Sequence, residues 1–303
     1  VLGWRDSFKL AGSTFSYGIT GTFSDYTAEY TKCDNPTGLI GDPYVGKKYG
    51  EIWGYKVDGL FRNDKEAAEY ASRIDLSTVA SGYYTATGAY GKGVRGGDIK
   101  YLDLNGDNIV NGGKGTLDDP GDRRVIGNSS PRYQYGASLN FSWYGFDVSV
   151  FMQGIGRLDW YPGADNLRFW GPYCRPYATF VPKNFMSQVW SEENPDAYFP
   201  RARAYTSLNS NSGTAYYTND RYLQNLAYCR LKNLTIGYTI PRRLTSKVGI
   251  KECRIYFSGE NLATWSALKS DFLDPEQAAA DSDKKANVYP WCKTYSIGLN
   301  LTF

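Results

Sequence analysis

Apolar and polar residues alternate with a period of two in several stretches of this chain, the pattern of strands with two unlike faces. Between Arg132 and Tyr144, the residues Tyr133, Tyr135, Ala137, Leu139, Phe141 and Trp143 interleave with Gln134, Gly136, Ser138, Asn140 and Ser142. After Tyr144-Gly145, a two-residue connection suited to a hairpin, Phe146, Val148, Val150 and Met152 alternate with Asp147, Ser149, Phe151 and Gln153. The pattern returns from Phe15 to Phe23, Leu234 to Ile240 and Cys253 to Glu260. It closes the chain, where Tyr295, Ile297, Leu299, Leu301 and Phe303 stand against Ser296, Gly298, Asn300 and Thr302.

Each run has roughly the 9–11 residues that a tilted strand needs to cross a bilayer. One face is apolar, with aromatics near the strand ends (Tyr133, Trp143, Phe303). The other carries Ser, Thr, Asn, Gln, Gly and charges, with few of the large aliphatics that the dry core of a soluble sandwich requires. The pattern therefore predicts an all-β, transmembrane antiparallel barrel wall, with a soluble sandwich or jelly roll as the alternative. Short connections at 144–145 and Pro241–Lys251 contrast with long, poorly periodic ones at 62–130, 157–225 and 266–288. Short turns at one end and long loops at the other is the outer-membrane arrangement, the long loops facing outside. Counting back from a last strand that ends at the periplasmic face gives eight strands. Those near 1–6, 50–61, 145–156 and 252–265 run outward; those near 14–32, 131–144, 226–240 and 289–303 run inward. A short helix is expected at Asp64–Arg73, capped by Asn63 or Asp64.

Composition sharpens this. The 303 residues include 33 glycines and 16% aromatics, among them 27 tyrosines, which fits an all-β chain. There is no histidine, so no Ser-His-Asp or Cys-His nucleophile and no imidazole metal site can form, and no carboxylate pair suggests acid–base catalysis. The expectation is a non-enzyme. The net charge of +3 gives no argument for nucleic acid. No run of eighteen apolar residues predicts a membrane helix, and neither a signal peptide nor a lipidation motif is read from Val1 onward. The five cysteines are scattered, odd in number and without a CxxC, and are read as buried small apolar residues rather than a disulfide framework.

Several segments resemble signatures of SusC-like (RagA-like) TonB-dependent transporters of Bacteroidetes outer membranes. They are Gly50-Glu-Ile-Trp-Gly-Tyr-Lys-Val-Asp-Gly-Leu-Phe61, Gly97-Asp-Ile-Lys-Tyr-Leu-Asp-Leu-Asn-Gly-Asp107 and Asp122-Arg-Arg-Val-Ile-Gly-Asn128, with Pro131 and Tyr135-Gly136. Arg230-Leu-Lys-Asn-Leu-Thr-Ile-Gly-Tyr-Thr-Ile-Pro241 and Arg254-Ile-Tyr-Phe-Ser-Gly-Glu-Asn-Leu262 look like the family's last barrel motifs. The ending from Tyr295 through Ile297, Leu299 and Leu301 to Phe303 looks like its barrel-assembly signal. The resemblance implies about the last eight strands of a 22-stranded barrel, with the plug domain and TonB-contacting segment outside residues 1–303. It implies import of an oligosaccharide, with an oligopeptide as the second choice. Its implied partners are a SusD-like surface lipoprotein, TonB, the N-terminal plug and barrel portion, and the lipid and lipopolysaccharide of the outer membrane. An eight-stranded self-closed barrel, an importer of metal chelates, and a soluble calcium- or glycan-binding adhesin are the alternatives.

Two candidate sites stand out. Asp103, Asn105, Asp107, Ile109 and Asn111 occupy positions 1, 3, 5, 7 and 9 of an EF-hand-like loop, which makes calcium the candidate cofactor. Asn108 stands where glycine is usual and Lys114 where the bidentate glutamate belongs, and Asp118, Asp119 or Asp122 would have to supply the missing carboxylate. The same residues also make an ion-free Asx-rich turn. The aromatic, Pro-rich loop holding Trp160, Arg168, Trp170, Tyr173, Arg175 and Tyr177 offers ring faces and guanidiniums to a sugar or peptide, or packs on itself. Asp147, Gln153, Arg254 and Glu260 are expected on the polar face, lining the path or pairing across strands.

Overall fold

A computed structural model describes residues 1–85, 93–174, 181, 183–203, 215–270, 273–280, 289 and 291–303. The strands in chain order are β1 (Leu2–Leu10), β2 (Ser13–Ser24), β3 (Glu51–Gly54), β4 (Val57–Leu60), β5 (Ile99–Tyr101), β6 (Arg124–Asn128), β7 (Arg132–Trp143), β8 (Phe146–Arg157), β9 (Asp159–Trp160), β10 (Gln224–Asn225), β11 (Tyr228–Thr239), β12 (Glu252–Ser266) and β13 (Thr294–Thr302). Seven of them make one antiparallel sheet in the order β1-β2-β7-β8-β11-β12-β13. The sheet is open, with β1 and β13 at its edges.

The register carries each sequence pattern across the whole sheet. Trp4 faces Ile19, Ile19 faces Leu139, Leu139 faces Val150, Val150 faces Leu234, Leu234 faces Gly259 and Gly259 faces Tyr295. One residue further along, Arg5, Gly18, Asn140, Ser149, Thr235, Ser258 and Ser296 form the matching row on the other face. Because side chains alternate along a strand, one in-phase sheet has one apolar and one polar face. The apolar face is exposed, including Ile19, Phe141, Phe146, Ile255, Ile297 (84%) and Leu299. Among the described residues, no second large sheet covers it.

The short connections share one end of the sheet. At that end the Tyr144 hydroxyl meets the Ala11 carbonyl, and the Trp143 Nε1–H donates to the Leu10 carbonyl at 3.2 Å. The Thr239 N–H donates to Gly145 O at 2.8 Å, and the Lys251 N–H to Thr302 O at 2.8 Å. The three long connections, 25–131, 158–227 and 267–293, leave from the opposite end. They hold most of the buried apolar core. Phe61, Leu76, Ile99 and Tyr101 come from the first, Trp170, Phe199 and Tyr222 from the second, and Leu273 and Ala278 from the third. The short strands β3–β6, β4–β5 and β9–β10 pair within this dome.

The structure corrects the expected strand layout. Segment 50–61 does not join the large sheet. It splits into β3 and β4, which pair with β6 and β5 inside the dome. Gly50, at φ 85°, turns the chain in, and Gly54 sits against Ile126 and the Thr218 backbone. Among the described residues the sheet therefore holds seven strands, and β2 pairs directly with β7. Counted back from β13 by the same rule, β2 runs outward and β1 inward, the reverse of the expected directions. The strand expected over 14–32 ends at Ser24. The first helix, α1 (Asp64–Ala71), forms where expected, and the Glu66 N–H donates to the Asn63 side chain at 2.9 Å, so Asn63 is its N-cap.

Candidate functional site

Two surfaces bear on function: the polar face of the sheet and the dome at its mouth. The middle of the polar face is lined by hydroxyls and amides, with Asn140, Ser149, Thr235, Ser258 and Ser296 in one row. Charges lie toward its ends and several are matched. Arg254 grips Asp147 with two hydrogen bonds, Nε at 2.9 Å and Nη2 at 2.5 Å. The pair spans Gly237, where a Cβ would fall 2.4 Å from Arg254 Nη2 and 2.5 Å from Asp147 Oδ1. Of the two roles expected for Asp147 and Arg254, the geometry gives pairing across strands. Near the short-turn end, Arg5, Ser7, Ser16, Asn140, Ser142 and Ser149 line a shallow trough of about 700 Å³.

At the mouth the polar face meets the dome. Arg230 of β11 is 1% exposed, and every arm of its guanidinium is engaged. Nε donates to Thr264 Oγ1 at 2.9 Å, Nη1 to Glu276 Oε2 at 2.8 Å, and Nη2 to Asp274. Lys232 Nζ donates to both Glu276 oxygens, at 3.0 and 2.8 Å. Sequence reading missed this cluster, because its acids lie more than forty residues along the chain from its bases.

The aromatic loop packs on itself. Trp160 (5% exposed), Trp170 (0%) and Tyr173 (2%) lie in the dome core, so their rings present no face to a ligand; the self-packing alternative describes them. Trp170 sits 4.8 Å from Phe169 and 5.0 Å from Tyr222 between ring centroids, both edge-on. Tyr173 stacks on Phe199. Arg168 is exposed, and Arg175 and Tyr177 lie outside the described residues. The buried hydroxyls find partners. Asn219 Nδ2 donates to the Tyr161 oxygen at 3.0 Å, and the Tyr161 hydroxyl donates to the Ala215 and Tyr217 carbonyls. Burial pushes Tyr55 and Tyr198 up to about 12 and Tyr101 and Tyr161 well above their ordinary value, so these phenols stay neutral.

The Asp103–Asn111 segment folds as a chain of Asx turns. Asp103 accepts from the Gly106 N–H at 2.7 Å and the Asn108 N–H at 2.9 Å. Asn105 accepts from Asp107, Asp107 from Ile109, and Asn111 from Gly113. Asn108 adopts φ 65°, which stands in for the expected glycine. Fully buried Asp122 accepts from the Leu104, Asn105 and Asn111 N–H groups and pins the loop from below. Among the described residues, no three acidic or thiol side chains converge on a point. Asp119 accepts from the Lys114 N–H at 3.2 Å, so the hydrogen bonds of this loop are those of the Asx-turn alternative.

An open cavity of about 420 Å³ at the seam of sheet and dome is lined by Lys48, Tyr49, Glu51, Asn128, Arg132 and Tyr133. Arg132 is held there by Asp25, at 2.5 and 2.6 Å. Of the terminal-signal residues, Tyr295, Ile297, Leu299 and Leu301 line the apolar face on β13, Phe303 follows its end, and all five are exposed. Among the cysteines, Cys253 is buried, Cys33, Cys174 and Cys229 are half-buried, and Cys292 is exposed, against the expectation of burial.

A sheet with an exposed apolar face, a hydroxyl-lined opposite face and a folded dome over one end has the make-up of a stretch of membrane-barrel wall. Comparison with known proteins agrees. TonB-dependent receptor P26 of Formosa agariphila is 28% identical over 215 residues, which cover 68% of this chain and 20% of that protein. TonB-dependent receptor P3 of the same organism is 25% identical over 267 residues, 85% of this chain and 22% of that protein. No family model matches. Among solved structures, the RagAB peptide transporter superposes with a TM-score of 0.61 at 17% identity over 99% of this chain and 28% of that chain. The RagAB peptide importer in its closed-closed state gives 0.58 at 16% identity. The resemblance to SusC-like, RagA-like TonB-dependent transporters carried by the motifs thus stands in both sequence and fold. The chain spans between a fifth and a quarter of the length of the curated relatives it matches.

Proposed function

We propose that this chain is the C-terminal barrel portion of an outer-membrane, TonB-dependent importer of the SusC-like type. The observation that carries this reading is the in-phase seven-stranded sheet, with one apolar face exposed and every long connection gathered in a dome at one end. The apolar face would meet lipid and lipopolysaccharide, and the polar face would line the lumen. The plug and the TonB-contacting segment would be supplied by parts of the protein outside residues 1–303. A SusD-like lipoprotein would seat on the dome, whose packed aromatic core makes it a firm platform rather than loose loops. The work is binding and gated passage, with no covalent chemistry.

For cargo we propose an oligosaccharide. The support is the middle of the wall, where a row of neutral hydroxyls and the Asn140 amide would pair with sugar hydroxyls. An oligopeptide is the second reading, favoured by the fold shared with the RagAB peptide transporter. The test is uptake by cells that carry or lack the full-length protein, with and without TonB. Labelled oligosaccharide should enter only with both present, while oligopeptide uptake is unchanged. Uptake of neither, or uptake independent of TonB, would overturn the proposal.

A further inference from the structure

Arg230 and Lys232 project from the polar face of β11 at the mouth of the sheet and are neutralised by the chain's own carboxylates. Asp274 and Glu276 belong to a short segment of the third long connection that includes the helix Pro275–Ala280. Asp274 has two tasks. One oxygen accepts from the Glu276 and Gln277 N–H groups, at 3.0 and 3.2 Å, and starts that helix; the other takes Arg230 Nη2. The helix is six residues long and lacks the length to hold itself. What fixes it is the wall: the two-cation, two-anion cluster and the burial of Leu273 and Ala278 in the dome core.

Arg230 is the unusual member. A guanidinium 1% exposed is costly unless fully paired. Its surroundings are built for a planar anion. Thr264 Oγ1 fixes Nε, the Tyr228 ring lies 5.5 Å from the guanidinium carbon, and Lys232 adds a second positive charge over the same carboxylate. Lys232 is itself placed against the Trp291 ring at 4.9 Å. The wall therefore carries a preformed site for two carboxylates, and a short segment of the chain's own fold fills it.

We infer that the segment 273–280 is a latch, and that Arg230 and Lys232 form a latent anion site on the wall, which takes a dicarboxylate or similarly doubly charged group when the latch is released. The inference rests on the reading of this face as the lumen wall. Closed, the latch narrows the mouth and leaves the wall neutral; open, it widens the mouth and exposes two adjacent cations. An anionic group entering from the mouth competes with Asp274 and Glu276 for the same donors.

The test is hydrogen exchange of the full-length protein in detergent, read peptide by peptide, with glutarate as the probe diacid. In D274N/E276Q, exchange over 267–280 should rise at least tenfold while β1, β2 and β8 keep their protection. Millimolar glutarate should then slow exchange over 228–233 in that variant and have no effect on the unaltered protein, where the site is filled. Arg230→Gln should release 267–280 equally and abolish the glutarate effect, which separates a lost site from a misfolded wall. Unchanged exchange over 267–280 in both variants would show that apolar packing alone holds the segment and would overturn the latch. Release without any glutarate effect would overturn the anion site. Loss of protection throughout the large sheet's central strands in the unaltered protein would instead count against the barrel reading itself.

Discussion

At Gly237 the requirement for glycine is set by its neighbours across the sheet. The Arg254–Asp147 pair passes directly over its α-carbon, and a methyl group there would overlap the guanidinium. Gly237→Ala is therefore expected to destabilise the sheet by about 1–3 kcal/mol, the usual effect of forcing an atom into filled space. The measurement is the temperature at which the folded form is lost on unboiled gels. In an Arg254→Ser, Asp147→Ser background both obstacles are gone, and the same substitution should have little effect; equal penalties in the two backgrounds would show that the pair is not the cause. The sequence made Asp147 and Arg254 visible as polar-face residues. It could not show that they meet, because that depends on β8 and β12 flanking β11. Trp160, Trp170 and Tyr173 fail for a related reason: composition identifies an aromatic loop, but only the fold shows which rings face inward.

Among the elements, the long connections behave as a folded unit, and one buried contact ties two of them together. Arg203, from the second, meets Asp98, from the first, at 2.7 Å, and its guanidinium lies 4.1 Å from the Tyr83 ring. Burial outweighs the pull of Arg203 and of the Arg95 N–H and pushes the Asp98 carboxyl up to about 7. The folded dome thus favours a proton that an unfolded chain, with a carboxyl near its ordinary value of about 4, releases. That stabilisation is complete below about pH 4 and is lost as pH rises through 7. Between pH 6 and pH 8 the dome should weaken by about 1 kcal/mol, following proton linkage. Tryptophan fluorescence during thermal unfolding reads this through Trp160, Trp170 and Trp190 in the same core. Asp98→Asn, which keeps the side chain neutral at every pH, should flatten the pH dependence; a pH dependence that persists would assign it to another group. The long strands other than β1 announced themselves by alternation, and α1 by its Asn63 cap. The dome strands did not, because β3, β4, β5, β6, β9 and β10 are two to five residues long, too short for a period of two to register.

For the whole molecule, the decisive property is the medium that the apolar face meets. Its chemistry is graded along the strands. On β13 the order is Tyr295, Ile297, Leu299, Leu301, Phe303, with aliphatics between aromatics. On β7, Ala137 and Leu139 lie between Tyr133 and Tyr135 at one end and Phe141 and Trp143 at the other. Tyr295 to Phe303 spans about 27 Å along the strand, which a tilt of about 40° reduces to about 20 Å, close to an apolar band with aromatic girdles. This grading was legible in the sequence, while the inward turn of 50–61 and the directions of β1 and β2 were not, since β2 and β7 pair across a dome inserted between them. Ile19, at the middle of β2 and 48% exposed, tests the medium directly. If this face meets water, Ile19→Arg replaces one exposed side chain with another and should change stability by no more than about 0.5 kcal/mol. If it meets the middle of a bilayer, the same change should destabilise by about 2–4 kcal/mol. We expect the larger figure in lipid vesicles. Thr20→Arg, one residue on and facing the polar side, should show a much smaller penalty because water is available there. Equal, small effects at both positions would mean that the apolar face is covered by water or protein rather than lipid. The asymmetry between neighbouring residues is what identifies a wall with a membrane on one side only.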